Sequence, residues 1–468
     1  MKTTIFKLTV LGSAVLAAVS VQANSLRGEL AHALQHNPQM QASRHASASA
    51  ESRARAAEAN RLPTFNLGYD YGAERINSLP LAPTTPINGT QIMTGPGPNW
   101  MWSQEQRRGL SINSQLPVYN GGKTSAIVDT ARIDALSANL NFQAQEQDTL
   151  LEAITAYLGV AKAKTLIELA KQNEETTTKQ LDLETKRVAA GGGVKVDAMQ
   201  AQTRLQIVRE RVVYYNQMLR EALARYEQTF GRAPDLNQIQ DLDIPDQAIP
   251  GTSSAALLLA KENNPRLKVA LLQIERAQHQ LTIAQSATKP AVDIVGTINR
   301  THNTNQTSQR EDGALFVRST WSLNLGGEHF KREQAAVSDN LEAMSKADTA
   351  ESKMNESVRV AWNQVVNGKE RLQLLTNAAN ISRAVMLDRK TLRDAGKETA
   401  LATLDAEVEY YGVLSNKVNN LYDMRIGAYR LLAAMGKLSS ADIGVEGDFK
   451  LSVKPLRLDL DALAKVGN

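Results

Sequence analysis

Leu110-Ser111-Ile112-Asn113-Ser114-Gln115-Leu116-Pro117-Val118-Tyr119-Asn120-Gly121-Gly122 is where the chain changes its period. Up to Val118, apolar residues fall on alternate positions (Leu110, Ile112, Leu116, Val118), broken at Ser114, which predicts a strand with one apolar face. Beyond the Gly pair, Lys123 to Val188 contains no proline and one glycine. Its apolar residues Leu150, Ile154, Leu158, Ala161 and Leu169 keep helical spacing, a seam for packing on neighbouring helices. At 1.5 Å rise per residue such a helix runs roughly 100 Å, beyond any ordinary globular helix.

The same junction recurs. Leu315, Val317, Trp321 and Leu323 alternate ahead of Gly326-Gly327, and Glu328 to Leu392 again lacks proline and carries one glycine. Its seam is Val358, Trp362, Val365, Leu372, Leu375 and Ala379. Gly121-Gly122 and Gly326-Gly327 lie 205 residues apart, as do Ala190-Gly191 and Ala395-Gly396, and Phe230-Gly231 and Met435-Gly436. Upstream, Asn37-Pro38 matches Asn264-Pro265, and Leu62-Pro63 matches Lys289-Pro290, both at 227 residues. Two constant offsets define an internal repeat.

Each half therefore reads as one series. A short helix stops at Asn-Pro, because proline disfavours helix in the residue before it. A helix over about Pro38 to Leu62, or Pro265 to Thr288, runs to the next proline. Two strands follow, about 64–73 and 108–119 in the first half, about 291–300 and 314–325 in the second. A long helical hairpin closes each half, 123–230 and 328–435, turning at a glycine. The first repeat thus spans 24–231 and the second 255–436, with a linker at 232–254 and a tail at 437–468.

Phe65, Leu67, Tyr69 and Tyr71 alternate with Thr64, Asn66, Gly68 and Asp70. Strands of about ten residues with one apolar and one polar face suit a membrane β-barrel around a watery lumen. Soluble amphipathic hairpins fit less well, since the flanking helices of Ala, Gln and charge provide little apolar surface to cover them. Phe65, Leu67, Leu110, Ile112, Ile294, Val317 and Trp321 are expected to face lipid. The strands are joined by a loop holding Pro80, Pro83, Pro86, Pro96, Pro98, Trp100 and Trp102, and by the polar run Thr301 to Gly313.

Composition narrows the class. The 468 residues are 42% apolar but only 5% aromatic, as befits long helices in thin layers. Lys2 and Lys7 before the apolar run Val10 to Val19, with Val21-Gln22-Ala23, read as a secretory signal over 1–23. No later stretch approaches the roughly 20 apolar residues of a membrane-spanning helix, so a membrane crossing must use strands in a closed barrel. The net charge of +4 on 53 basic and 49 acidic residues forms no basic block, so nucleic acid is not an expected partner. There is no cysteine, and the six histidines show no metal-ligand spacing; neither metal, cofactor nor catalysis is expected. Gly191-Gly192-Gly193 follows no strand, so it reads as a hairpin turn and not a phosphate cradle.

Four strands cannot close a barrel, since the smallest have about eight. Several chains must contribute, and the strand count leaves two and three copies open.

The order helix, Asn-Pro, helix, strand pair, Gly-Gly, very long helix, Ala-Gly turn, helix, repeated twice after a signal, resembles the TolC family of outer-membrane channel proteins. The resemblance covers the whole mature chain. It implies a homotrimer with a 12-stranded β-barrel in outer-membrane lipid, continuous with a long periplasmic α-helical barrel, and an equatorial layer formed by the linker and tail. The absence of a cysteine after residue 23 sets the chain apart from lipid-anchored efflux ducts. Implied partners are a periplasmic adaptor protein and an inner-membrane pump. The expected role is a passive exit duct, in protein secretion first, with drug efflux or a trimeric coiled-coil surface fibre as alternatives.

The turns carry the most specific local likeness. Ala190-Gly191-Gly192-Gly193-Val194 and Ala395-Gly396-Lys397, with Thr399, are expected to touch the adaptor. Near them Asp197, Arg393, Glu398 and Asp405 are the candidate gate. The family often has an aromatic at the position of Arg393 that bonds to the position of Asp197, so the resemblance implies an Arg393 to Asp197 latch. It also implies a ring of Asp405 carboxylates, although Ala402 stands where a second Asp is usual and Glu398 where a base often sits.

Overall fold

The computed structural model describes residues 26–78, 84–87, 90–93, 101–242, 244, 246–303, 309–322, 324–440 and 453–455. The signal segment 1–23, Pro80, Pro83, Pro96, Pro98, Trp100, Leu323 and nearly all of the tail after 440 lie outside the described residues. The first half runs α1 (Leu26–His36), α2 (Pro38–Glu58), β1 (Thr64–Ser78), β2 (Thr84–Ile87), β3 (Thr90–Met93), β4 (Met101–Tyr119), α3 (Lys123–Ala189) and α4 (Lys195–Phe230). After β5 (Gln240–Leu242) come α5 (Ser253–Asn263), α6 (Pro265–Ser286), β6 (Ala291–Asn303), β7 (Gln309–Thr320), α7 (Glu328–Asp394), α8 (Ala400–Ala434) and β8 (Val453–Pro455).

Local chemistry sets the breaks. Pro38 and Pro265 open α2 and α6, where a missing N–H costs nothing. The Asn37 side chain accepts from the Gln39 N–H at 2.8 Å, capping α2. Gly231 ends α4 at φ +71°, a left-handed conformation that a side chain resists.

The chain divides into two compact units. One holds residues 45–141 and 266–350. Its antiparallel sheet has the order β1-β4-β6-β7, and among the described residues neither β1 nor β7 has a second partner. The helices meet in the matching order: Arg132 on α3 donates to Glu58 at 2.7 Å, Arg276 on α6 to Asp134 on α3 at 2.7 Å, and Gln285 on α6 to Glu333 on α7 at 3.0 Å. Each strand thus continues the row of helices.

Register decides the sheet faces. Leu67 lies opposite Ile112, Tyr69 opposite Leu110, Ile112 opposite Ile298, Leu116 opposite Ile294, and Ile294 opposite Val317. Six of the seven residues expected to face lipid therefore share one face. Phe65 and Leu67 on it are 72% and 74% exposed. The opposite face carries Asn66, Asn113 and Asp70, with Gln115 donating to Asp293 at 2.9 Å and Asn299 to Asp312 at 3.1 Å. A Val295–Phe316 pair is the apolar exception there.

The strand limits differ from expectation. β1 reaches Ser78 and β4 begins at Met101, well outside 64–73 and 108–119, because ladder hydrogen bonds continue where side-chain alternation has stopped. β7 runs 309–320 and not 314–325. Trp321 thus leaves the strand, its indole Nε1 donating to the Thr288 carbonyl at 3.0 Å. The long first loop is not wholly irregular either: β2, which includes Pro86, pairs with β3.

The second unit holds residues up to 44, 142–265 and from 351 on. Its core lines the α3 seam, Leu150, Ile154, Leu158, Leu166 and Leu169, with Tyr226, Phe230, Tyr422 and Tyr429 from α4 and α8, all nearly devoid of solvent contact. A further cluster joins Leu169, Ala379, Tyr410, Tyr411 and Leu414. Gly368 and Gly427 bring α7 and α8 close: an added Cβ would come within 2.9 Å of Met424 and Gln364 respectively. β5 pairs with β8, and Arg425 donates to Asp241 beside it.

Candidate functional site

The two hairpin turns share one geometry. In the first, the Gly192 N–H donates to the Arg187 carbonyl at 3.1 Å and the Gly191 N–H to that of Val188 at 3.1 Å. In the second, Lys397 N–H donates to Leu392 at 2.9 Å and Gly396 N–H to Arg393 at 2.8 Å. This paired closure satisfies the last helical carbonyls and needs a left-handed residue, supplied by Gly191 at φ +77° and Gly396 at φ +71°. The restarts differ. Thr399 caps α8, its hydroxyl accepting from the Ala402 N–H at 3.3 Å, whereas Val194 gives α4 no side-chain cap. Asp197 in the first turn of α4 favours that helix end through its charge.

All residues expected to touch a partner are at the surface. Ala190, Gly191, Gly192, Val194, Ala395, Gly396, Lys397 and Thr399 are exposed, and Gly193 is half-buried. A Cβ added at Gly191 or Gly396 would meet nothing within 4 Å. Only the backbone conformation, and no packing, resists a larger residue there.

Behind the turns the helix seam becomes polar. Asn173, Thr177, Gln180 and Glu184, spaced as one face of α3, are buried, as are Thr403 and Glu407 on α8. Gln180 is 5% exposed and Glu407 3%. Arg393 Nη1 donates to Gln180 Oε1, and Gln180 Nε2 donates in turn to Glu407 Oε1 at 3.2 Å. Glu407 Oε2 has no hydrogen-bond partner. Burial raises the carboxyl pKa above its ordinary value, against the opposing effects of the Gln180 bond and the Arg393 and Lys390 charges. Three helices, α3, α7 and α8, are thereby joined through one buried chain of polar groups. Further along α8, Lys417 is 1% exposed with no partner for its ammonium, and burial lowers its pKa to about 8.

The expected gate residues are arranged differently from the implied latch. Arg393 does not reach Asp197 within the chain: besides Gln180 it holds Asp394, at 2.8 Å from Nη2 and 3.2 Å from Nε. The adjacent carboxylate and the facing amide satisfy the guanidinium first. Asp405 is not a free carboxylate but accepts from Arg204 Nη2 on α4 at 2.8 Å. Glu398 lies 3.7 Å from Arg389 in its own hairpin. Sequence reasoning missed Gln180, Glu407 and Arg204. The signal for Gln180 was present, since Asn173, Thr177, Gln180 and Glu184 continue the spacing of the apolar seam of α3. Among the described residues no group of three His, Asp or Glu is placed to hold a metal ion.

Comparison with known proteins fits this geometry. The family described as outer membrane efflux protein matches residues 30–232 and 256–437, one block for each half of the repeat. The outer membrane efflux protein BepC of Brucella suis is 21% identical, over 72% of this chain and 74% of its own length. The alkaline protease secretion protein AprF of Pseudomonas aeruginosa is 22% identical over 66% of each chain. The solved structure of the outer membrane protein VceC from Vibrio cholerae superposes with a TM-score of 0.71 at 20% identity, covering 88% of this chain and 96% of that one. With both repeats matched and the fold shared, this chain belongs to the outer membrane efflux protein family and resides in the outer membrane.

Proposed function

We propose that the chain is one third of a homotrimeric exit duct that passively conducts cargo delivered by an inner-membrane pump through a periplasmic adaptor. The observation that carries this reading is the sheet: four strands, with β1 and β7 each unpaired on one edge among the described residues, and one exposed apolar face. Edges cannot stay open in lipid, and three copies joined β7 to β1 make a twelve-stranded barrel of the usual kind. The linker at 232–254 and the tail after 436 would form the equatorial layer, a reading supported by the β5–β8 pairing.

Type I protein secretion is the favoured route, supported by the likeness to AprF, named for alkaline protease secretion. Efflux of small molecules is the second reading, supported by the likeness to BepC, named as an efflux protein. The exposed turns are the surface offered to the adaptor, and the polar chain Arg393–Gln180–Glu407, with the Asp405–Arg204 pair, is the lock that holds the hairpins together.

Gly191→Trp and Gly396→Trp test the reading. The Cβ of either residue would meet nothing within 4 Å, and the backbone strain is about 1 to 2 kcal/mol per residue. Trimers resistant to mild detergent should still form while export stops. Normal export by both variants refutes the adaptor assignment, and absence of any trimer or ion conductance in the native protein refutes the duct.

A further inference from the structure

The unit that carries the sheet has a solvent-open cleft of about 830 Å³ where its helices meet the ends of β4, β6 and β7, with Lys123 and Lys289 exposed along it. Four cations line it, Lys123, Arg276, Lys289 and Arg332, against one carboxylate, Asp339. The two arginines are already neutralised, Arg276 by Asp134 at 2.7 Å and Arg332 by Glu328. The lysines are not. Lys289 Nζ reaches only the Gly121 carbonyl, at 3.4 Å, and the Lys123 ammonium has no hydrogen bond or ion pair among the described residues. No acidic residue stands in the first turn of α3 to offset Lys123. Ala284 and Ala287 of α6 add an apolar wall.

We propose that this cleft binds a phosphate-type oxyanion between Lys123 and Lys289. Two uncompensated ammonium groups in the lining of one concave site attract a compact multivalent anion more than a single carboxylate, and each can donate to a separate oxygen. Arg276 and Arg332, each held by its own carboxylate, add little net charge and leave the two lysines to hold the ligand. The position at the end of the sheet admits two sources of the same chemistry, a phospholipid headgroup or a free phosphate. The inference stands on the cleft and does not require the duct reading.

Binding of two probes, inorganic phosphate and dihexanoyl-phosphatidylglycerol, to the full chain in a neutral detergent measures it by ³¹P line broadening and calorimetry. At least one probe should saturate a single site per chain. Lys123→Gln with Lys289→Gln should weaken that binding by about 100-fold, roughly tenfold for each lost charge-assisted contact. Lys123→Arg with Lys289→Arg should retain binding, which separates charge loss from misfolding. Binding of the lipid alone identifies a headgroup site, and binding of phosphate identifies a free-anion site. Saturation by neither probe, or equal affinity in the glutamine variant, overturns the proposal.

Discussion

Replacing Gln180 by leucine keeps the volume on α3 but removes the amide that bridges two buried charges. Glu407 Oε1 loses its donor, Oε2 already has none, and the carboxylate is 3% exposed, so water does not compensate. Arg393 loses one acceptor but keeps Asp394. One hydrogen bond to a buried charge is worth about 1.5 to 3 kcal/mol, and the arginine's share is small because its other bonds persist. The contacts joining α8 to α3 should therefore weaken by about 2 to 3 kcal/mol, which is about 30- to 150-fold in a local opening equilibrium. Amide exchange around Thr403 to Glu407 should accelerate by that factor at neutral pH, and open-channel events should become more frequent. The pH dependence carries a sign. Glu407 has a folded pKa raised above the ordinary 4.5, so the folded state favours the protonated form. Stability is greatest below 4.5 and falls as pH climbs towards the raised value. Losing Gln180 raises that value further, so the variant's defect should shrink on acidification towards pH 4.5. Unchanged exchange at neutral pH, or a defect of the same size at every pH, refutes the polar lock.

Other substitutions test other levels of the structure. Leu67→Arg should reduce membrane insertion, at about 2 to 4 kcal/mol for a cation near the bilayer midplane, whereas Asn66→Arg on the opposite face should insert normally; equal tolerance removes the barrel. Gly231→Ala, with open space around a Cβ, should cost only the left-handed strain of about 1 to 2 kcal/mol. Gly436→Ala should cost clearly more in thermal unfolding, because its Cβ would stand 2.5 Å from the Asn263 carbonyl oxygen. Lys417→Met should raise the unfolding temperature. The folded pKa of Lys417 is lowered to about 8, so the wild-type chain gains stability as pH rises from about 8 to 10.5, and the benefit of methionine should be largest below 8 and vanish above 10.5.

What the sequence by itself determined was whatever depends on near neighbours. The absence of proline from 123–188 and 328–392 suffices for two very long helices, because helix continuity is decided within a turn. Alternation suffices to put Phe65 with Leu67, and Leu110 with Ile112, on one face of their own strand, because side chains in a strand alternate whatever the strand pairs with. The constant offsets between Asn-Pro, Gly-Gly and Ala-Gly landmarks show the duplication without any contact being known. Tertiary structure decided the rest. The strands end where the partner ends, at Ser78 opposite Met101, and no local pattern records that pairing. Trp321 shares the parity of Val317 yet leaves the sheet to bond Thr288. Arg393 had several carboxylates within sequence reach, and its choice of Gln180 and Asp394 over Asp197 depends on which helix faces lie together. A glutamine and a glutamate at seam positions look the same in sequence whether solvated or enclosed. Only the packing of α3 against α7 and α8, which brings together residues more than 200 positions apart, removes water from Gln180 and Glu407 and makes their hydrogen bonds matter.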